Sequence, residues 1–228
     1  MATAFVQAVS KYSASTPFTT TGITTTSGHT LATGISVYNG SANVLSSFVD
    51  SYSNTWTQAV NSPQSIGTAN VQIAVYTATN ITGGSGHTFT ATNSVPGNGG
   101  TIMVAELSGC SLGSLVRASQ GVASASDTQT HAGATVTAGA GDIVLAFSTD
   151  DLRATDAFTA GLGLTSATGG SITASQPGFI QYAANVGAGN ITGAYTTTQF
   201  SAYAQVIIAL LALSAGSSNQ QQMMMGVG

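Results

Sequence analysis

Residues 48–109 open with Val49-Asp50-Ser51-Tyr52-Ser53-Asn54-Thr55-Trp56-Thr57 and continue through Val71-Gln72-Ile73-Ala74-Val75-Tyr76. A turn, Asn80-Ile81-Thr82-Gly83-Gly84-Ser85-Gly86, leads to His87-Thr88-Phe89-Thr90-Ala91-Thr92, and the stretch closes on Thr101-Ile102-Met103-Val104-Ala105-Glu106-Leu107-Ser108-Gly109. Val71, Ile73 and Val75 alternate with Gln72, Ala74 and Tyr76, a period of two that sends one set to a core and the other to the opposite face. Gly-rich punctuation about every ten residues returns the chain into its next strand. The stretch predicts antiparallel β-sheet.

Working outward, residues 4–9 read as a first, edge strand. The Thr/Ser tract 13–26 is too polar for a core strand and too β-branched for a helix, so it reads as an extended loop or edge segment. Leu31, Thr33, Ile35 and Val37 share one parity and predict a strand. Tyr38-Asn39-Gly40-Ser41 then carries the strongest short hairpin signal, which predicts that residues 44–49 return antiparallel to it. Residues 93–100 are a turn cluster. In residues 112–125, Leu112, Leu115 and Val116 stand at helical spacing, but Gly113 and Gly121 limit any helix to a turn or two. Residues 132–137 and 142–148 read as a pair around Ala138-Gly139-Ala140-Gly141. Ile143-Val144-Leu145-Ala146-Phe147, apolar on both parities, predicts a central strand covered on two sides. Further strands are expected at 171–174, 178–183 and 196–203. The run 205–213 is far short of the ~20 residues a membrane helix needs, so it reads as the last strand. Asn190-Ile191-Thr192-Gly193 echoes Asn80-Ile81-Thr82-Gly83, too short a match to establish a repeat.

These readings give an all-β protein: an antiparallel, jelly-roll-like β-sandwich over residues 1–213 with an extended Gln/Met-rich C-terminal arm, 214–228. Hydrophobic residues make up 43% of the 228, enough for a sizeable core. Charged residues make up only 4% against the usual ~25%, and the net charge is -4. Lys11, Arg117 and Arg153 are the only cations, so no basic stripe exists for nucleic acid and no polybasic segment for an anionic membrane. With so little charge to keep copies apart, the surface reads as one covered by neighbours or exposed outside the cell, and a neutral soluble monomer is the plainer alternative. Cys110 stands alone, so no internal disulfide is possible and a buried small hydrophobe is its expected role. The N-terminus lacks the basic flank and long apolar run of a signal peptide, which predicts synthesis in the cytoplasm.

The order D-S-x-x-N-T-W, a strand ending Y-x-A-x-N, a Gly-rich turn with T-F-T and a strand ending E-L-S-G fall here on Asp50-Ser51, Asn54-Thr55-Trp56, Tyr76, Ala78, Asn80, Thr88-Phe89-Thr90 and Glu106-Leu107-Ser108-Gly109. This pattern resembles a β-sandwich module found in tailed-phage virion proteins and in uncharacterised bacterial proteins. It departs from that module at Ala74-Val75-Tyr76, where a second aromatic often sits. The resemblance implies a fold and a virion setting rather than a reaction. The functional expectation is a non-enzymatic structural subunit of a phage particle: a capsid decoration or cement protein, or a tail or fibre component. Its partners would be its own copies and other virion proteins. In the arm, Met223, Met224 and Met225 with Gln220 and Gln221 are the expected interface, docking into an apolar groove on another subunit or back on their own chain.

A carbohydrate-binding or adhesive module is the alternative, with Trp56 and Tyr76 as glycan contacts, although a sole Trp is more often a core plug with its N–H bonded. A glycan-cleaving enzyme centred on Glu106 is a third reading, though no partner carboxylate is identifiable. Chemistry is otherwise sparse. Gly83-Gly84-Ser85-Gly86 misses the G-x-S-x-G elbow, and no Gly-rich segment is followed by the Lys-Ser/Thr of a phosphate loop. His29, His87 and His131 lie far apart and read as turn or surface residues, and Asp150, Asp151 and Asp156 read as a solvated loop without calcium-loop spacing. Glu106 is expected to pair with Arg117 or to cap a turn. No metal or cofactor is predicted.

Overall fold

A computed structural model describes residues 2–38, 44–66, 71–96, 98–151, 157–172 and 177–213. Among them every regular element is a strand. The first half carries β1 (Ala4–Ser13), β2 (Phe18–Thr19), β3 (Thr30–Tyr38), β4 (Leu45–Asp50), β5 (Thr57–Gln58), β6 (Gln64–Ile66), β7 (Val71–Ala78), β8 (Phe89–Asn93) and β9 (Gly100–Ser108). The second carries β10 (Val116–His131), β11 (Thr135–Ala138), β12 (Ile143–Asp150), β13 (Phe158–Ala160), β14 (Thr165–Ile172), β15 (Gly178–Ala183), β16 (Gly189–Thr192) and β17 (Tyr195–Leu210).

The strands make a large sheet ordered β1-β9-β3-β7-β5, with β6 also on β7, and a small sheet ordered β2-β8-β4. A second large sheet is ordered β10-β17-β12-β15-β14, with β13 on β17, and a second small sheet pairs β11 with β16. In each half the chain passes from large sheet to small and back near both its start and its end, and the large-sheet orders β1-β9-β3-β7 and β10-β17-β12-β15 are those of a jelly-roll wrap. The two large sheets face one another. Val71, Ile73, Val75, Met103 and Ala105 from one, with Leu145, Phe147, Val206 and Ile208 from the other, form one buried core between them. The first small sheet covers the far side of its large sheet through Phe18, Phe89, Ala91, Leu31 and Ile35. The second covers its own through Val136, Ala138, Val144 and Ile207. All-β is therefore the observed class, as a layered sandwich of antiparallel sheets.

The halves repeat one another in six strands each, and β4 has no counterpart on the second small sheet. The order β1-β9-β3-β7 matches β10-β17-β12-β15, and β2 on β8 matches β11 on β16. Register matches too: Leu31 pairs with Ala78 and Glu106, and its counterpart Val144 pairs with Ala183 and Ala209. Even the irregularity recurs, a shift between Phe5 and Gln7 against β9 and one between Val116 and Ala118 against β17. The turn ahead of each central strand uses the same bonds. Gly28 N donates to Ile81 O as Gly141 N does to Val186 O, and His29 N donates to Thr26 O as Asp142 N does to Gly139 O. Both glycines have φ near the left-handed region, +83° and +86°, where a Cβ is strained. Counterparts also meet across the core: a Cβ on Gly34 would lie 2.5 Å from Phe147 Cδ1, and the Ser36 and Thr149 hydroxyls are 2.8 Å apart. The counterpart strands β3 and β12 therefore meet at these two pairs.

Several sequence expectations change. The strand β4 does not return along β3; it crosses to the small sheet and pairs with β8, because Phe48 is drawn to the aromatic cluster there. The Asn39-Gly40 turn lies outside the described residues. Residues 116–131 form a 16-residue strand with no helical turn, their β-formers satisfied by pairing along β17. Residues 135–138 and 143–150 do not pair; each takes its partner from the other end of the second half, β16 for one and β15 and β17 for the other. Residues 196–203 and 205–210 belong to one strand. The arm, with Gln220, Gln221 and Met223–225, lies outside the described residues.

Candidate functional site

The densest polar chemistry sits in the first half, where the Asp50–Trp56 loop leaves β4. Asp50 Oδ1 accepts the Tyr52 N–H at 2.8 Å, the Asn54 N–H at 3.3 Å and Asn54 Nδ2 at 3.2 Å, folding the loop back on its own carboxylate. Its Oδ2 accepts Trp56 Nε1–H at 2.6 Å. That bond swings the indole across the open end of the wrap. There it meets Phe48 edge-on at 4.7 Å and Phe89 at 6.2 Å, while Phe48 lies 5.9 Å from Tyr76. Trp56, Phe48 and Tyr76 are all half-buried, so they close the core beneath and show one face to solvent. Burial pushes the Tyr76 phenol up. The structure thus brings the two sequence-predicted glycan contacts into one cluster and adds Phe48, whose strand parity alone gave no hint of it.

Behind the loop lies His87, fully buried, with Nδ1 at 2.7 Å from Thr25 Oγ1 and Nε2 at 3.2 Å from Asp50 Oδ1, the latter off the hydrogen-bond direction. Its ring stacks on Phe89 and meets Tyr52 edge-on. Hydroxyl, imidazole and carboxylate in that order have the connectivity of an acyl-transfer relay. Thr25 is only 4% exposed, however, and its hydroxyl also faces the Gly84 N–H at 3.4 Å, so a substrate carbonyl has no approach. The triplet is a structural knot.

Glu106 is the second knot. Its Oε1 accepts the Thr26 N–H at 2.8 Å and His29 Nδ1–H at 2.7 Å, and its Oε2 accepts Gln7 Nε2–H at 2.5 Å. The carboxylate is fully buried and both of its oxygens are bonded within the fold, so no glycosidic oxygen reaches it. The expected pairing of Glu106 with Arg117 is not made: Arg117 Nε reaches Asp142 Oδ2 at 2.5 Å instead.

In the second half the buried polar groups are mostly neutral. Gln205 donates to Ser148 Oγ at 2.9 Å and to Gly193 O at 2.6 Å, and accepts the Ala134 N–H at 2.9 Å. Gln181 donates to the same carbonyl at 2.6 Å. His131 is fully buried, 3.0 Å from Thr197 Oγ1 and packed on Tyr195 and Tyr203. His87 and His131 are therefore core residues rather than turn or surface ones, each paired with a hydroxyl that makes its burial tolerable. Asp150 and Asp151 also correct the solvated-loop reading. Asp150 ends β12 at 1% exposure, and half-buried Asp151 accepts the Ala202 N–H at 3.0 Å. Burial pushes the Asp151 carboxyl up, with the Asp127 charge adding to it. Asp156 lies outside the described residues. Among the described residues no three His, Cys, Asp or Glu gather as a metal site.

The open faces of the molecule are neutral. Thr19 and Thr90 on one small sheet, and Thr135 and Thr192 on the other, face solvent and hydrogen-bond in pairs at 2.9 and 2.7 Å. Compared with family models, with curated proteins and with solved structures, the chain matches none.

Proposed function

We propose that the chain is a non-enzymatic structural subunit of a phage particle, most naturally a capsid decoration or cement protein, acting by packing against its own copies and other virion proteins. One observation carries this reading: a chain with 4% charged residues spends its carboxylates Asp50, Glu106 and Asp142 on internal bonds, which leaves Thr- and Ser-lined sheet faces as its surface. Such faces cost less to desolvate than charged ones and keep copies apart poorly. A permanent contact of this kind would bury roughly 2,000 Å² or more. The resemblance of residues 50–109 to a virion β-sandwich module supports the same setting. Native mass spectrometry of the purified chain, with electron microscopy of the material in which it occurs, tests it. A closed oligomer that decorates particles is the expected result, and a chain that stays single at high concentration and is absent from particles overturns it.

The half-buried trio Phe48, Trp56 and Tyr76 favours one second reading, a glycan-binding face. Saturable change of Trp56 fluorescence with an oligosaccharide, in a monomeric protein, would select it over the first.

A further inference from the structure

The two large sheets are closed differently along their two sides. On one side β1 packs on β14, and Phe5 stacks on Tyr182 at 4.2 Å. On the other, β5 pairs only with β7 and β10 only with β17 among the described residues, so two strand edges face each other across a groove. The groove has two adjoining lobes of about 340 and 350 Å³. Thr57, Thr77, Leu115 and Val116 line the first, and Val60 and Ala118 stand in the second. The far end is tied off where Asn61 Nδ2 donates to Ser119 O at 2.9 Å and Ser119 Oγ donates to Val60 O. Val60, at the lip, is 73% exposed.

The near end lies where the chain leaves the described structure. Leu211 N donates to Leu115 O at 2.9 Å, Ser111 N donates to Leu211 O at 2.8 Å, and Leu213 N donates to Gly109 O at 2.7 Å. The segment that follows, Ser214-Ala215-Gly216-Ser217-Ser218-Asn219-Gln220-Gln221-Gln222-Met223-Met224-Met225-Gly226-Val227-Gly228, carries no charge and no proline. Every residue in it can therefore donate to a strand edge. Extended, the ten residues from Leu213 to Met223 span about 33–36 Å. The groove from Leu115 to Ser119 is about 13 Å of strand. The spacer is long enough to place the three methionines anywhere along it.

We propose that residues 214–228 occupy this groove in the same chain, pairing as an added strand along β5 or β10 and laying Met223, Met224 and Met225 over Val60, Val116 and Ala118. Tethering within a few residues of the groove gives the chain's own segment a high effective concentration over any other occupant. Flexible thioethers suit a shallow apolar trough of irregular shape. The arm would also blunt two edges that otherwise invite pairing with foreign strands. An arm held in this way would be present in an isolated chain as well as in a particle.

Cysteine pairing tests it: Val60→Cys with Met223→Cys, Met224→Cys or Met225→Cys, each in a Cys110→Ala background. A short bifunctional thiol reagent should link at least one pair within the chain, at a yield unchanged by dilution. Leu162→Cys, on a fully exposed turn, should link far less. Links between chains, or no excess over the Leu162→Cys control, overturn the proposal. Deleting residues 214–228 from the otherwise native chain gives a second readout. Amide exchange in 57–60 and 116–119 should then quicken at least tenfold, and unchanged exchange overturns the proposal independently of any cysteine variant.

Discussion

The two wraps share a skeleton and differ in what they bury. Leu31 and Val144 hold the same register, yet the first wrap ties its interior with Asp50, His87, Glu106 and His29 while the second uses Gln181, Gln205 and Ser148. At the equivalent turn position stand residues of opposite tendency: His29, bonded to Glu106 on β9, and Asp142, bonded to Arg117 on β10. The backbone pattern dictates only that this position needs a polar partner for a buried turn; the sequence is free to choose which. Repeated architecture therefore survives on register, bulge and left-handed glycine, with side-chain identity almost wholly replaced.

The largest effect is expected where counterparts meet. Phe147 fills the space that Gly34 leaves, so Phe147→Ala should cost about 3–5 kcal/mol through the cavity it opens. Gly34→Ala, forcing a methyl against the ring, should cost about 1–3 kcal/mol. In the double variant the methyl enters the vacated space, so the two costs should fail to add by at least 0.5 kcal/mol. Denaturant titration of the four proteins measures this, and simple additivity would mean that the meeting of β3 and β12 is not an energetic joint.

Next come the two interiors. Asp50→Ala strips the acceptor from Trp56 Nε1–H, Asn54 and the Tyr52 N–H and leaves His87 buried without its carboxylate, so a loss of about 3 kcal/mol is expected. Gln205→Ala removes three neutral bonds, leaving the Ala134 N–H and the Ser148 hydroxyl without it while Gly193 O keeps Gln181, and should cost about 2 kcal/mol. Trp56 emission should redshift in the first variant only, since the indole belongs to the first wrap. Equal emission changes would say that the wraps do not keep separate interiors.

Much of the sheet content was legible, because Val71, Ile73 and Val75 do face the main core and residues 143–147 are covered on both sides. What parity does not carry is which strand a strand pairs with. Asn39-Gly40 argues for a local hairpin, and the jelly-roll wrap overrides it by sending β4 to β8. The duplication was illegible for a related reason. The echo Asn80-Ile81-Thr82-Gly83 and Asn190-Ile191-Thr192-Gly193 is off register: Ile81 corresponds by its bonds to Val186, and the matching left-handed asparagines are Asn80 and Asn185, with φ of 48° and 52°. The histidines read as turn residues because Thr-His and Gly-His contexts look like turns, whereas His87 and His131 are stabilised in the core by a hydroxyl supplied sixty or more residues away. In the candidate site, Trp56 and Asp50 were legible as a local D-S-x-x-N-T-W unit; Phe48 and Thr25 join it only through the fold.

Acid should separate the wraps further. Burial pushes the Asp142 carboxyl up, but Arg117 and the Gly139 and Ala212 N–H groups outweigh it and hold it below its usual 3.8. A depressed folded value contributes stability that is present above pH 3.8 and lost as pH falls through the folded value. Asp151 runs the other way: its raised value penalises the folded state at neutral pH and the penalty is relieved on protonation. Asp142→Asn should therefore flatten the fall in Tm below pH 3.8, and Asp151→Asn should raise Tm at pH 7 while leaving it unchanged in acid. A steeper acid limb in Asp142→Asn would refute the assignment.

The smallest effect is the most local. Cys110 sits in the joint between the wraps, bridging to Ala212, and burial pushes its thiol up to about 12, with Asp142 adding to that and a bond to Thr30 opposing it. At pH 8 hardly any thiolate exists in the folded chain, so an aromatic disulfide reagent should label it only through opening of the joint. The labelling rate should follow denaturant as global unfolding does if the wraps open together. If it rises well before Trp56 emission changes, the second wrap parts from the first while the Asp50 knot still holds, and the shared core gives way before the first wrap's own interior.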